Sequence, residues 1–340
     1  MNFPAKNSMP TRPLGPLSVS AIGLGCMNIT GGYGPAESAE SSISMLKGCV
    51  DCGYTFFDSA TVYGSGQSED LLGRALLGPQ PYIAREELQI ASKCGLTRDG
   101  IDGRPKTLRE QCEKSLKQLR TDYIDLYYLH RVDPKVPISE SVGELGRLVD
   151  EGKLRCIGVS EVCTENLRLA HAEYPLAAIQ SEYSLWTRTP ERGILALCRE
   201  LGVVMVPFSP LGRQFLTGKA KSVDELPEND LRISIAHPRF TGDAFVENSK
   251  LLIPFGEIAA DNNCTMAQLA LAWLLTVEDQ TMIPIPGTRS IEHARENAGA
   301  AAVELGSDTI AQLSELINES TIVGKRYNDK RMAEADAERD

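Results

Sequence analysis

Asp58, Tyr63, Lys93 and His130 put an acid, a phenol, an amine and an imidazole at or just beyond the ends of short apolar runs. The runs are YTFFD (54–58), ELQIASK (87–93) and YIDLYYLH (123–130), with Tyr63 in the loop after the first. Each reads as a buried strand, and consecutive runs are separated by about the length of one strand plus one helix. Side chains projected from the same ends of consecutive parallel strands meet at one mouth of a barrel. A phenol with a pKa near ~10 is a poor proton donor at neutral pH unless a neighbour stabilises its phenolate. A lysine ammonium does so, a carboxylate keeps that lysine charged and oriented, and a histidine hydrogen-bonds both phenol and substrate oxygen. The set suits protonating an oxygen that develops negative charge, as when a carbonyl receives hydride. Taken singly, the same residues also fit a plain ion pair, a packed tyrosine and a satisfied core histidine.

The elements that must position them recur along the chain. Eight apolar runs alternate with amphipathic stretches: VSAIGLG (19–25), YTFFD, LQIASK, IDLYYLH, LRCIGVS, LAAIQSEYS, VVMVPFSP and TMIPIP (281–286). This alternation predicts parallel strands with crossover helices, and eight units close most economically into an α/β fold of the (β/α)8 barrel type. A doubly wound open sheet is the rival, but GLGCMNIT (23–30) is not the GxGxxG it requires. Gly53, Gly152 and Gly202 fall where helix ends need a left-handed residue, while Thr164 and Thr189-Pro190 read as helix starts. Residues 11–20 suggest a hairpin plugging the N-terminal end of the barrel. Residues 210–245 are irregular, and a loop that long within a compact domain is usually functional, often a lid. Two helices should follow, the first kinked at Pro254. One domain is expected over 1–340, with a core of about 11–322 and a charged, frayed tail over 325–340.

Composition narrows the classes. Of 340 residues, 42% are hydrophobic and 24% charged, ordinary for a soluble chain that buries a large core. A net charge of −11 argues against broad nucleic-acid or anionic-membrane binding. No apolar run approaches the ~18 residues of a spanning helix, and MNFPAKNSMPTRP lacks the apolar stretch of a secretory signal. Nine scattered cysteines point to reduced thiols and a cytoplasmic setting. Cys49 and Cys52 form a lone CxxC that reads as two helix thiols, and with four histidines in the chain no metal site is expected.

Several segments carry a family resemblance. FFDSATVYG (56–64), SKCG (92–95), TDYIDLYYLHRVDP (121–134), GKLRCIGVSE (152–161), QSEYSLW (180–186), PFSPLGRQFLTG (207–218) and IPGTRSIEHARENAGA (285–300) resemble the aldo-keto reductase superfamily, in order and over nearly the whole chain. The resemblance implies a (β/α)8 barrel without a Rossmann domain that binds NADPH or NADP+, with NADH as the alternative, and reversibly reduces an aldehyde or ketone. It makes Tyr63 the general acid, Asp58 the partner of Lys93, and His130 the group that orients the carbonyl. At the nicotinamide it implies Ser160 and Gln180 on the carboxamide, Phe208 stacked on the ring, and Gly25, Met27 and Asp58 close by. Glu161 stands where many members have asparagine, and the Ser160–Glu161 pair is similar to that of pyridoxal- and perakine-type reductases. Ser209, Leu211 and Gly212 begin a loop like the pyrophosphate clamp, with Gln214 replacing a common glycine. Gly287, Thr288 and Arg289 precede a helix whose N-terminus favours phosphate, leaving Arg289 as main cation because His293 replaces a common arginine. Glu296 and Asn297 match residues that hold the adenine.

Around the substrate, Met27, Ile29, Tyr33, Tyr63, His130, Arg131 and Trp186 are expected, with the Met, Ile and Trp side chains forming an apolar wall for an aromatic or alicyclic carbonyl. The expected partner is this small molecule alone, on a monomer or homo-oligomer. Two other classes stay open. One is a nicotinamide-sensing regulatory subunit resembling potassium-channel β-subunits. The other is a Schiff-base aldolase using Lys93, opposed by the acid that keeps this amine protonated.

Overall fold

The structure, a computed structural model, describes residues 9–228, 230–277 and 282–340. An antiparallel hairpin, β1 (Thr11–Leu14) and β2 (Leu17–Ser20), opens it. Leu14, Leu17 and Val19 are buried against Phe56, Leu126 and Val206, so the hairpin plugs the barrel as expected of residues 11–20. Arg12 fastens it, donating to Leu275 O at 2.9 Å and Met282 O at 3.1 Å.

The barrel strands are β3 (Leu24–Gly25), β4 (Phe56–Asp58), β5 (Gln89–Cys94), and, after a small hairpin of β6 (Leu96–Thr97) and β7 (Gly100–Ile101), β8 (Ile124–Leu129), β9 (Leu154–Ser160), β10 (Ala178–Glu182) and β11 (Val204–Phe208). The seven pair in parallel and in chain order from β3 to β11. Helices α1 (Ala39–Asp51), α2 (Gln67–Leu76), α3 (Pro105–Leu119), α4 (Ile138–Asp150), α5 (Thr164–Glu173) and α6 (Ile194–Leu201) make the first six crossovers. Cys49 and Cys52 lie at the end of α1, and Gly53, Gly152 and Gly202 all take positive φ at helix ends. Thr189-Pro190 starts a 3-10 turn, and α6 begins only after Gly193.

Two strands differ from expectation. The run 19–25 is divided, because Ser20 Oγ donates to Ile22 O at 2.8 Å and accepts from Thr55 N at 3.1 Å, turning the chain before β3. The eighth position is filled by 282–287, which bridges Met205 through Met282 and Gly25 through Gly287. Ile283 and Ile285 donate to Met205 O and Pro207 O at 3.0 Å each, and Gly23 and Gly25 donate to Pro284 O and Pro286 O at 3.0 and 3.1 Å. The prolines have no N–H to return, so the barrel closes on half a ladder. The close seam also needs Gly25, since a Cβ there would stand 2.8 Å from Ile285 O.

After β11 the chain makes short turns, α7 (Leu231–Ser234), α8 (His237–Phe240) and α9 (Gly242–Ser249), then α10 (Leu252–Asp261) and α11 (Met266–Thr276). Pro254 does not kink a long helix: it lies in the first turn of α10, where its missing N–H costs nothing, and the break falls before it. Helices α12 (Ile291–Gly299) and α13 (Ser307–Leu316) follow the closing segment. The tail is not frayed. It folds through α14 (Asp329–Glu334), buries Arg326, Tyr327 and Ala337, and caps α5: Asp336 accepts from Cys163 N at 2.9 Å and Asp340 from Thr164 N at 3.0 Å.

Candidate active site

Asp58 ends β4, Lys93 is next to last in β5, and His130 directly follows β8. Parallel pairing of these three strands therefore brings their tops together. Lys93 is wholly buried and donates to one Asp58 oxygen and, at 2.7 Å, to Ser59 O. The other Asp58 oxygen accepts from the Gln180 amide nitrogen at 2.8 Å. Burial pulls the Lys93 pKa down, but Asp58 first and then Tyr63 together outweigh it and hold the amine above its ordinary value. Lys93 is a fixed ammonium.

Tyr63 opens a 3-10 turn (Tyr63–Gly66), which places its half-buried ring over this pair. The ring centre lies 5.2 Å from Lys93 Nζ and 6.0 Å from the His130 ring, edge-on at 86°. Burial raises the Tyr63 pKa, and Lys93 opposes this without overcoming it. The resting phenol is thus a protonated donor, not one already lowered by the lysine; the ammonium matters once the proton leaves. Burial, then the charges of Arg131 and Lys93, push His130 well below its ordinary pKa, so the imidazole is neutral. Its Nδ1 is buried with no partner among the described residues.

Asp58, Tyr63 and His130 border a cavity of about 480 Å³, and Lys93 is buried behind that lining. Register aligns Ser160 with Gln180 on neighbouring strands, and both face the cavity. Gly25, Met27, Tyr33, Asp58 and Arg131 line it, as do Phe208, Ser209, Leu211, Gln214 and Gly287. The 210–245 segment thus does border the site, through Leu231 and Ile235 as well. Sequence reasoning missed Arg213 and Tyr327. Arg213 lines the cavity, donating to Glu182 at 2.8 Å and Tyr33 Oη at 3.1 Å, and Tyr327 arrives from the tail. The only signal for Arg213 is its place beside Gln214; for Tyr327 the local sequence offers none.

Other expected residues lie elsewhere. Ile29 and Trp186 do not form an apolar wall: both are in the hydrophobic core, Trp186 against Phe215 and Phe240. Gly212 packs under Trp186, where a Cβ would come within 2.8 Å of the indole. Glu161 does not reach the cavity. At φ 54° its carboxylate turns back to accept from Arg326 at 2.7 Å and Glu182 N at 2.9 Å. Thr288 and Arg289 precede α12, and His293, Glu296 and Asn297 lie along it, all outside the cavity lining. There Arg289 donates to Pro35 O at 2.6 Å and Tyr33 O at 3.2 Å, His293 is exposed, and Asn297 is buried.

A parallel α/β barrel whose mouth holds a buried ammonium–carboxylate pair, a protonated phenol and a neutral imidazole has the architecture and site of a barrel oxidoreductase acting on carbonyl groups. Residues 21–318 match the Aldo/keto reductase family, and the chain belongs to it. It is 43% identical to probable aldo-keto reductase 1 of Glycine max, covering 91% of this chain and 88% of that protein. It is 39% identical to aldo-keto reductase yakc [NADP(+)] of Schizosaccharomyces pombe, covering 94% and 95%. Among solved structures, the glycerol dehydrogenase AKR11B4 from Gluconobacter oxydans superposes with a TM-score of 0.81 at 27% identity, over 90% of this chain and 94% of that one. An aldo-keto reductase from Klebsiella pneumoniae in complex with NADPH gives 0.69 at 26%, over 94% and 99%.

Proposed function

We propose that this protein is an NADP(H)-dependent aldo-keto reductase that interconverts an aldehyde or ketone and its alcohol, with Tyr63 as proton donor. The observation that carries the reading is the buried Lys93–Asp58 pair beneath a protonated phenol and a neutral imidazole. The cavity fits a nicotinamide: a hydroxyl and an amide stand side by side at Ser160 and Gln180, and the half-buried Phe208 ring borders the same space. When bound, the cofactor supplies the hydride. Ser160 and Gln180 would hold its carboxamide, Phe208 would stack on its ring, and Ser209, Leu211 and Gln214 would cover its pyrophosphate. Arg289, with the start of α12, would take the 2′-phosphate. NADP is named in the Schizosaccharomyces relative, and the Klebsiella structure holds NADPH.

His130, neutral and buried, orients the carbonyl oxygen toward Tyr63, which gives its proton as charge develops there. Lys93 then faces the phenolate, with Arg131 as a second cation. A Schiff-base role for Lys93 is disfavoured because the amine is held protonated. Among the described residues no helix is long and apolar enough to cross a membrane; we place the enzyme in the cytoplasm, as one barrel unit acting alone or as a homo-oligomer. The test is reduction of 4-nitrobenzaldehyde followed at the nicotinamide absorbance. Formation of the alcohol with matched NADPH loss is expected, and bound NADPH with no turnover on any aldehyde or ketone would overturn the reading.

A further inference from the structure

The charges that line the cavity are mostly committed. Asp58 is taken by Lys93 and Gln180, and Arg213 by Glu182. Arg131 is different. It is half-buried, lines the cavity and directly follows His130. Its Nη1 donates to Ser160 Oγ at 3.1 Å and to His130 O at 2.6 Å, and both acceptors are neutral. Among the described residues it forms no ion pair, and its Nε and Nη2 donors are claimed by none. A partly desolvated cation with no counter-charge is unfavourable unless something completes it. In a chain of net charge −11, such a site is not explained by general basicity. Its charge also acts on the reacting end, reaching both Tyr63 and His130.

We propose that Arg131 is a specificity-determining residue that recruits carbonyl substrates bearing a carboxylate next to an apolar body. The two hydrogen bonds of Nη1 fix the guanidinium plane, and the remaining donors form the planar fork that a carboxylate matches. The apolar body has its own surface in Met27, Leu96, Leu231 and Ile235, which line the same cavity. Substrates are therefore short: the anion sits within one side chain of the carbonyl held by Tyr63 and His130. This inference rests on the reductase reading and supplies its substrate class.

The test compares phenylglyoxylate and the 2-, 3- and 4-carboxybenzaldehydes, each beside its methyl ester, with wild type, Arg131→Gln and Arg131→Lys. In wild type at least one acid should exceed its ester in kcat/KM by about 10- to 100-fold, the range of a charge-assisted hydrogen bond. Arg131→Gln should collapse that ratio, mainly through KM of the acid, Arg131→Lys should restore part of it, and added salt should raise KM for the acid more than for the ester. The proposal is overturned if no acid is preferred to its ester. It is equally overturned if Arg131→Gln weakens acid and ester alike together with NADPH affinity, which would make Arg131 a holder of Ser160 for the cofactor. Reduction of none of the acids or esters while 4-nitrobenzaldehyde is reduced would overturn this proposal alone, and failure of 4-nitrobenzaldehyde and every other aldehyde and ketone would overturn the reductase reading too.

Discussion

Asp58→Asn tests the electrostatics beneath the phenol. In the wild type Lys93 is wholly buried, and Asp58 is the largest of the influences that oppose the effect of that burial on its pKa. The asparagine keeps the shape and removes the charge, leaving the desolvation. Removing one member of a buried pair costs about 3–5 kcal/mol. The folded-state pKa of Lys93 should then fall below its unfolded value of about 10.4. Between the two pKa values the unfolded variant binds more protons than the folded one, so its stability rises with pH, by about 1.4 kcal/mol per unit. Wild type has the opposite sign. Its raised Lys93 pKa stabilises the fold below the unfolded pKa, and that contribution is lost as pH climbs through the folded value. Denaturant unfolding at several pH values from neutral to about 10 should therefore show a deficit for Asp58→Asn that narrows as pH rises. A deficit below about 1 kcal/mol at pH 7, or one that does not change with pH, would refute the claim that Asp58 holds a charged Lys93.

Three further outcomes are expected. Because His130 is held well below its ordinary pKa, the wild-type kcat/KM for reduction should be flat from about pH 6 to 8; an acid limb near ~6.5 contradicts a neutral imidazole. Arg289→Ala should raise the NADPH dissociation constant by about tenfold more than that of NADH, measured by nicotinamide fluorescence, and equal losses reject a 2′-phosphate role. Arg326→Met leaves Glu161 without its buried cation, while Glu182 keeps Arg213, and should cost about 3–5 kcal/mol in denaturant unfolding; a loss under ~1 kcal/mol would mean that the tail is not anchored there.

What local sequence reveals depends on how local the cause is. The strands carrying Asp58, Lys93 and His130 are legible because both sheet faces are covered, so each reads as an unbroken apolar run. The plugging hairpin and the glycine helix ends follow from short-range turn chemistry. The eighth strand is legible as a run, but its two prolines reduce it to alternate hydrogen bonds. The tail misleads because its charges read as solvated, whereas their partners lie some 170 residues upstream, as for Asp336 with Cys163 and Asn166. The same non-local pairing withdraws Glu161 from the cavity and brings Tyr327 and Arg213 into it. Ile29 and Trp186 show the other limit: a loop position near the mouth does not say which way a side chain turns, and both turn inward to the core.

The central claim is that Tyr63 delivers the proton, and Tyr63→Phe tests it most directly. The phenyl ring keeps the packing against His130 and Lys93 and removes only the donor. The account predicts a fall in kcat for carbonyl reduction of about 10²- to 10⁴-fold with NADPH affinity nearly intact. Turnover within a few-fold of wild type would contradict it.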